Sequence, residues 1–306
     1  MDNSNAVTWL NGRLIHTSEA ALSLTDSGLL GISVCELIRT FRHQTFRLSD
    51  HLERLASSIA AIGVSTSYTA GAIAATVDQI VGTNSRLITD DDDLGISVFV
   101  TAGANPGQTD IGNGEATVGI STFPLRFERW AGKIDNGQHL ITPRTRQLPP
   151  ESVDPRIKSR SRLHWHLADR QACRVAPDAS AVLLDRDGCL TETSTGNLFV
   201  VRRGRLLTPG SGVFEGISRR VVLEIAQRTG LDAVQDRVRP TDVLSADEAF
   251  TTSTGYCLLP VTRFNKQTVG DGRPGPVFRQ LGAAWSKLVG VDIFEQARSL
   301  AAGRMS

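Results

Sequence analysis

Apolar residues along this chain recur with two periods, one suited to strands and one to helices. Val7–His16 places apolar positions on both sides of Asn11-Gly12, a dipeptide fitted to a tight turn, and predicts a strand hairpin. Ile32–Phe41 (ISVCELIRTF) is rich in β-branched residues and predicts a strand. Leu52, Leu55, Ala56 and Ile59 recur at helical spacing, so a helix is expected from about His51 to Ile62. Asp50 with Glu53 resembles a capping box, and Gly63 supplies a stop. Ala70–Val81 predicts a second helix, and Ile96–Thr101 and Ala116–Thr122 predict strands around a Gly-rich loop, Ala102–Gly114. The acidic run Asp90–Asp93 reads as a solvated loop, because a calcium loop needs spaced ligands and a glycine turn.

The pattern changes near Phe123–Gly137, where Pro124, several charges, Gly132 and Gly137 predict a linker. Beyond it, Arg162–Val175 reads as a helix, Ser180–Leu184 as a strand, and Asp187-Gly188 as a hairpin turn into Asn197–Val201. Ile217, Val221 and Ile225 share one face of a helix over Ile217–Thr229 that Gly230 ends. Ala249–Ser253 and Leu258–Thr262 predict strands. In Pro276–Val289, Pro276 suits the first helical position, Val277, Leu281, Ala284, Trp285 and Leu288 form a stripe, and Gly290 follows. The expected organisation is an α/β N-terminal domain over 1–122, a linker over 123–137 and a larger domain over 138–306.

Length and composition narrow the possibilities. The 306 residues are enough for two domains, with 40 % hydrophobic and 21 % charged residues. Thirty-three basic residues against 32 acidic ones give +1, which lacks the basic surplus that nucleic-acid binding needs. No apolar run is long enough for a membrane span, and the opening MDNSNAVTWLNG has no basic and apolar leader, so no signal peptide is expected. The four cysteines, Cys35, Cys173, Cys189 and Cys257, form no CxxC and read as reduced cytoplasmic thiols. Only four lysines occur (Lys133, Lys158, Lys266, Lys287), so any reaction needing a lysine amine has few candidates.

Common catalytic motifs are missing. No GxxxxGK[ST], GxGxxG leading into a helix, HExxH or GxSxG is present. His164 and His166 in HWH would lie about 200° apart on a helix, so no metal site is expected there. Four segments remain. Arg156-Ile157-Lys158-Ser159 offers an amine. Leu190–Phe199 (LTETSTGNLF) places Glu192 in a hydroxyl-rich turn entering an apolar strand. Phe214–Arg219 (FEGISR) leads a glycine into a helix start with open N–H groups. Thr251–Gly255 (TTSTG) sets hydroxyls at a strand end. Taken singly, each reads first as a surface lysine, a solvated turn, an ordinary helix start or a polar turn. Together, a lysine, an acid and two anion cradles are the parts that pyridoxal 5′-phosphate requires.

Their order carries a resemblance along nearly the whole chain. WLNGRLI (Trp9–Ile15), DSGLLGISVCELIRTF (Asp26–Phe41), FRLSDHLERLASS (Phe46–Ser58), IKSRSRL (Ile157–Leu163) and LLDRDGCLTETSTGNLFVV (Leu183–Val201) come in sequence. GISRRVVLEIA (Gly216–Ala226), FTTSTGYCLLPV (Phe250–Val261) and GRPGPVFRQL (Gly272–Leu281) follow. The chain resembles the class IV (fold-type IV) pyridoxal-phosphate aminotransferases, which include branched-chain and D-amino-acid aminotransferases, R-selective amine transaminases and aminodeoxychorismate lyases. The resemblance implies a two-domain α/β fold with the cofactor in the cleft between the domains, and a homodimer. It implies that Lys158 is the Schiff-base lysine and that Glu192 pairs with the pyridine nitrogen. Arg54, Ile217, Ser218, Ser253 and Thr254 would hold the phosphate. Cys35, Arg39 and Gly255 are expected near the substrate, and Arg129 and the loop Ala102–Gly114 are further candidates.

Departures from the family pattern bear on specificity. The D-amino-acid subgroup carries a VTRG-like segment, whereas this chain has Val100-Thr101-Ala102-Gly103. Cys35 stands where an aromatic residue usually precedes the glutamate. Glu36-Leu37 lacks the threonine of the lyases, and Leu163-His164 replaces the tyrosine expected after the lysine. Amino transfer between a branched-chain or other hydrophobic L-amino acid and a 2-oxo acid is therefore the leading expectation. A lyase, a D-amino-acid or R-amine transaminase, and a catalytically silent binding protein on the same scaffold remain the alternatives.

Overall fold

The computed structural model describes residues 5–105 and 115–305, so Asp110 and its neighbours in the expected Gly-rich loop lie outside the described residues. The chain divides into two compact units. One runs to Leu125 and takes back Ile157–Arg162, and the other comprises Arg126–Arg156 and Leu163–Ser306.

The first unit is an antiparallel sheet with two helices. Its strands are β1 (Val7–Leu10), β2 (Arg13–His16), β3 (Ser33–Phe41), β4 (Gln44–Thr45), β5 (Leu94–Thr101) and β6 (Thr117–Pro124), in the order β2-β1-β6-β5-β3-β4. The expected hairpin turns at Asn11 and Gly12, both at positive φ, and Asn11 Oδ1 accepts from Val118 N. Helix α1 (Leu48–Ala61) and helix α2 (Ala70–Asn84) cover one face. Val34, Ile38, Ile96, Val98, Val100, Val118 and Ile120 meet Leu55, Ile59, Ile73, Val77 and Ile80 there. Alternation along β3 sends Val34, Glu36 and Ile38 to the same side, so a carboxylate enters this apolar layer.

Two expectations change in this unit. Helix α1 starts earlier than expected, at Leu48 behind a left-handed Arg47, and Asp50 pairs with Arg47 (3.2 Å) instead of capping. Asp92 and Asp93 are buried, not solvated. Asp93 Oδ1 accepts from Thr40 Oγ1 (2.7 Å) and His43 N (3.2 Å), which ties the turn after β3 to the start of β5.

The second unit begins inside the expected linker, which is folded. Phe127–Arg129 makes a 3-10 turn and Ala131–Asn136 makes α3. There follow β7 (Gln138–Ile141), α4 (Leu163–Val175), β8 (Ser180–Leu184), β9 (Leu190–Thr193), β10 (Asn197–Arg202), β11 (Arg205–Pro209) and α5 (Ile217–Thr229). The chain ends with β12 (Ala233–Asp236), α6 (Pro240–Leu244), β13 (Glu248–Ser253), β14 (Cys257–Phe264), β15 (Gln267–Thr268), α7 (Pro276–Val289) and α8 (Ile293–Met305). The sheet runs β12-β11-β10-β13-β14-β7-β8-β9, and β9 also pairs with β10, so six strands close into a ring. The closing pair is Asn197 with Glu192. Leu140, Val182, Leu190, Leu198, Val200, Val261 and Phe264 fill a buried cluster. No helix among the described residues is long and apolar enough to cross a membrane.

Candidate active site

In the first unit, the segment around Lys158 is held as an irregular extra strand against β3. Val34 bridges Ser159, Cys35 N donates to Lys158 O (3.0 Å), and Arg160 N donates to Ser33 O (3.0 Å). Lys158 N donates to Ser58 Oγ (3.2 Å) on α1, where Ser58 is buried. These main-chain bonds fix the lysine's backbone on both sides. Burial lowers the Lys158 ammonium pKa; Arg54 and Arg162 act in the same direction, while Glu36 and Cys35 oppose them. A lowered ammonium pKa favours the neutral amine, the form that acts as nucleophile and proton acceptor.

Arg54 reaches the same neighbourhood from α1. Its Nε donates to Glu36 Oε1 (2.8 Å) and its Nη2 to Glu36 Oε2 (2.7 Å), a bidentate pair. His51, one turn earlier, bonds Glu36 Oε2 through Nδ1 (2.7 Å). Although burial raises the Glu36 pKa, the bonds from Arg54 and His51 outweigh it and bring the carboxyl down to about 2. Burial lowers the His51 pKa, while its hydrogen bond to the Glu36 carboxylate opposes that shift. Cys35 is half-buried, and burial raises its thiol pKa against the opposing pull of Lys158, Arg160 and Arg162.

Arg39 stands elsewhere. It is buried, lies 3.9 Å above the Phe41 ring, donates to Thr40 O (3.1 Å) and stands 3.6 Å from Asp93. Its contacts are those of a core cation rather than of a group displayed to a ligand. Arg129 is exposed at the end of the 3-10 turn in the second unit.

The second unit groups the other candidates. Glu192 is not in a turn: it is buried on β9, the strand that the sequence pattern missed. Its Oε1 accepts from Gln147 Nε2 and from Phe214 N (both 3.1 Å), and its Oε2 accepts from Asn197 Nδ2 (3.4 Å). Register aligns Glu192, Asn197 and Thr252 across β9, β10 and β13, on one face. Thr252 Oγ1 and Gln147 Oε1 are buried without a hydrogen-bond partner among the described residues.

Gly216 caps α5 with no side-chain cap, and the first helical bond runs from Arg220 N to Gly216 O (3.0 Å). The Ile217 and Ser218 amides precede that bond. Arg219, buried beside them, donates to Pro209 O and Gln235 Oε1 (both 2.8 Å), with the charges of Glu215 and Glu192 acting on it. A cavity of about 640 Å³ opens here, lined in part by Arg156, Glu215, Gly216, Arg219 and Arg220. Ser253, Thr254 and Gly255 are half-buried at the β13–β14 turn. Tyr256 follows them. Its hydroxyl meets Thr251 Oγ1 (2.9 Å), burial raises its pKa to about 12, and its ring stands edge-on to Trp130.

This donor set suits a ligand with a basic ring nitrogen and a dianionic phosphate. The Glu192 carboxylate is buried and fixed by hydrogen bonds from Gln147, Phe214 and Asn197, which suits a protonated ring nitrogen. The helix start and its buried arginine favour an anion, and a buried hydroxyl awaits a partner. Sequence reasoning missed Gln147, Asn197, Tyr256 and Trp130. Asn197 and Tyr256 lie within motifs already quoted, whereas Gln147 lies in an irregular segment with no local signal.

Comparison with known proteins identifies the family. Residues 33–264 match the family described as Amino-transferase class IV. D-alanine aminotransferase of Bacillus licheniformis is 30% identical over 90% of this chain and 94% of its own length. Branched-chain-amino-acid aminotransferase-like protein 2 of Arabidopsis thaliana is 28% identical over 98% of the chain, but the chain spans only 54% of that protein. Among solved structures, a branched-chain aminotransferase of Thermoproteus uzoniensis with norvaline superposes at TM-score 0.84, with 26% identity, over 93% of this chain and 95% of that one. The branched-chain aminotransferase of Thermobaculum terrenum in its PLP form gives TM-score 0.83 at 27% identity, over 97% of this chain and 98% of that one. A match covering most of the length, on a fold shared with these enzymes, means that the chain belongs to the class IV aminotransferase family.

Proposed function

We propose that this aminotransferase uses pyridoxal 5′-phosphate to move an amino group from a branched-chain or other hydrophobic L-amino acid to a 2-oxo acid. The observation that carries the reading is Lys158: its backbone is pinned to β3 and α1, and burial depresses its ammonium pKa. Lys158 Nζ would hold the cofactor's aldehyde carbon, give way to the donor amine, and then carry the α-proton as base and acid. Glu192, fixed by its hydrogen bonds on β9, would keep the pyridine nitrogen protonated. Arg54, the Ile217 and Ser218 amides, and the Ser218, Ser253 and Thr254 hydroxyls would hold the phosphate. When bound, the cofactor supplies an electron-poor ring that takes up the electron pair left as the substrate's α-C–H bond breaks.

Cys35 and Gly255 would face the substrate. Cysteine in place of an aromatic residue leaves room for a bulky side chain, which supports a hydrophobic donor. Ala102, in place of the arginine of the D-amino-acid subgroup, removes a carboxylate contact and supports an L-donor. A D-amino-acid donor is the second reading, favoured by the 30% identity to a D-alanine aminotransferase. The two compact units would be its N- and C-terminal domains. A cytoplasmic homodimer accompanies the proposal. It is supported by four free thiols and by the exposed apolar run Leu22, Leu24, Leu29 and Leu30.

The test is the visible spectrum of the cofactor-loaded protein after adding L-leucine, D-alanine or (R)-1-phenylethylamine separately. L-leucine should bleach the visible band with the other two nearly inert. Bleaching by D-alanine alone would transfer the assignment to the second reading, and no change with any amino donor would overturn amino transfer.

A further inference from the structure

We propose that Asn197 is a positioning residue that locks the Glu192 carboxylate and the α5 amides at one fixed spacing, and that residue 216 is glycine because Asn197 occupies the space of its side chain. The inference rests on the cofactor reading above, and deepens it.

Asn197 is buried at the pair that closes the strand ring. Its Nδ2 donates to Phe214 O (2.7 Å) and, over a longer path, to Glu192 Oε2 (3.4 Å). Phe214 N donates to Glu192 Oε1 (3.1 Å). The main chain of Phe214 and two side chains thus form a closed cycle. Phe214 stands just ahead of Gly216 and the open amides of Ile217 and Ser218, so the cycle transmits the position of the carboxylate to the start of α5. A displacement of either end must break a bond in the cycle.

Gly216 supplies the independent observation. Its φ of −65° and ψ of 137° are open to any residue, so its backbone does not call for glycine. Serine, threonine, aspartate and asparagine are the usual residues at such a helix start. A Cβ at position 216 would run into Asn197 Oδ1. The exclusion is therefore steric, and Asn197 causes it.

The test measures pyridoxal phosphate binding to the apo-protein by equilibrium dialysis, and the pH at which the visible band of the loaded protein titrates. Asn197→Ala should weaken binding about tenfold to a hundredfold, the range for a hydrogen bond to a charged group, and should move the titration midpoint. Gly216→Ala should weaken binding comparably. The double variant should bind no worse than Gly216→Ala alone, because alanine at 197 vacates the space that the new methyl needs. Gly216→Ala keeps an allowed backbone, so it tests the coupling even if Asn197→Ala folds poorly. Unchanged affinity and midpoint in Asn197→Ala, or losses that add in full in the double variant, would overturn the role of Asn197 while leaving the cofactor reading intact. Absence of binding by the unsubstituted protein would overturn both.

Discussion

Replacing Glu36 with glutamine tests whether the first unit depends on one buried charge network. The side chain is fully enclosed between β3 and α1, bidentate to Arg54 and bonded to His51. Its pKa falls from 4.5 to about 2. At 1.36 kcal/mol per unit, that depression corresponds to about 3 kcal/mol of folding stability. Glutamine keeps the shape, but leaves a largely buried guanidinium without its counter-charge, a loss of about 3–5 kcal/mol in comparable pairs. Because the folded pKa lies below the unfolded one, the stabilisation is complete above about pH 4.5 and disappears as pH falls toward about 2. Urea unfolding followed by circular dichroism should show Glu36→Gln less stable by about 3 kcal/mol near neutral pH, with the gap to the unsubstituted protein narrowing below about pH 5. A gap under about 0.5 kcal/mol, or one that does not change with pH, would refute the network's energetic role.

Other substitutions probe separate joints. Glu248 on β13 accepts from Val277 N (2.8 Å) and Phe278 N (2.9 Å), capping α7 from a distant strand. Glu248→Ala should therefore lower stability by about 2 kcal/mol in the same unfolding assay, and a loss below about 0.5 kcal/mol would contradict the cap. Asp93→Ala, which removes the acceptor for Thr40 Oγ1 and His43 N, should cost about 2–3 kcal/mol and increase amide exchange near Thr40. Cys35→Phe should raise KM for L-leucine about tenfold or more, with less effect on L-alanine; equal effects on both would remove Cys35 from the substrate wall.

Legibility in the sequence followed the range of the forces involved. The hairpin at Asn11-Gly12 and the helix Pro276–Val289 were readable because turn chemistry, a proline start and a glycine stop act locally. Glu192 was misread as part of a turn because β9 is four residues of mostly polar sequence. Its burial comes from ring closure with β10, a long-range event. Asp93 was misread for the same reason: its partners Thr40 and His43 are distant in sequence and reach it only after β3 and β5 pair. Asp50 had the right spacing for a cap, yet the left-handed Arg47 started the helix earlier. At Lys158, no periodicity marked the residue. Family resemblance singled it out, and the structure adds its fixed main chain and the depressed ammonium.

The central claim is that Lys158 carries the covalent chemistry. The most direct measurement incubates the protein with pyridoxal phosphate, reduces it with borohydride and maps the modified peptides by mass spectrometry. The account predicts one cofactor-derived adduct on the peptide containing Lys158, and none on those containing Lys133, Lys266 or Lys287. An adduct confined to another lysine, or no adduct at all, would contradict it.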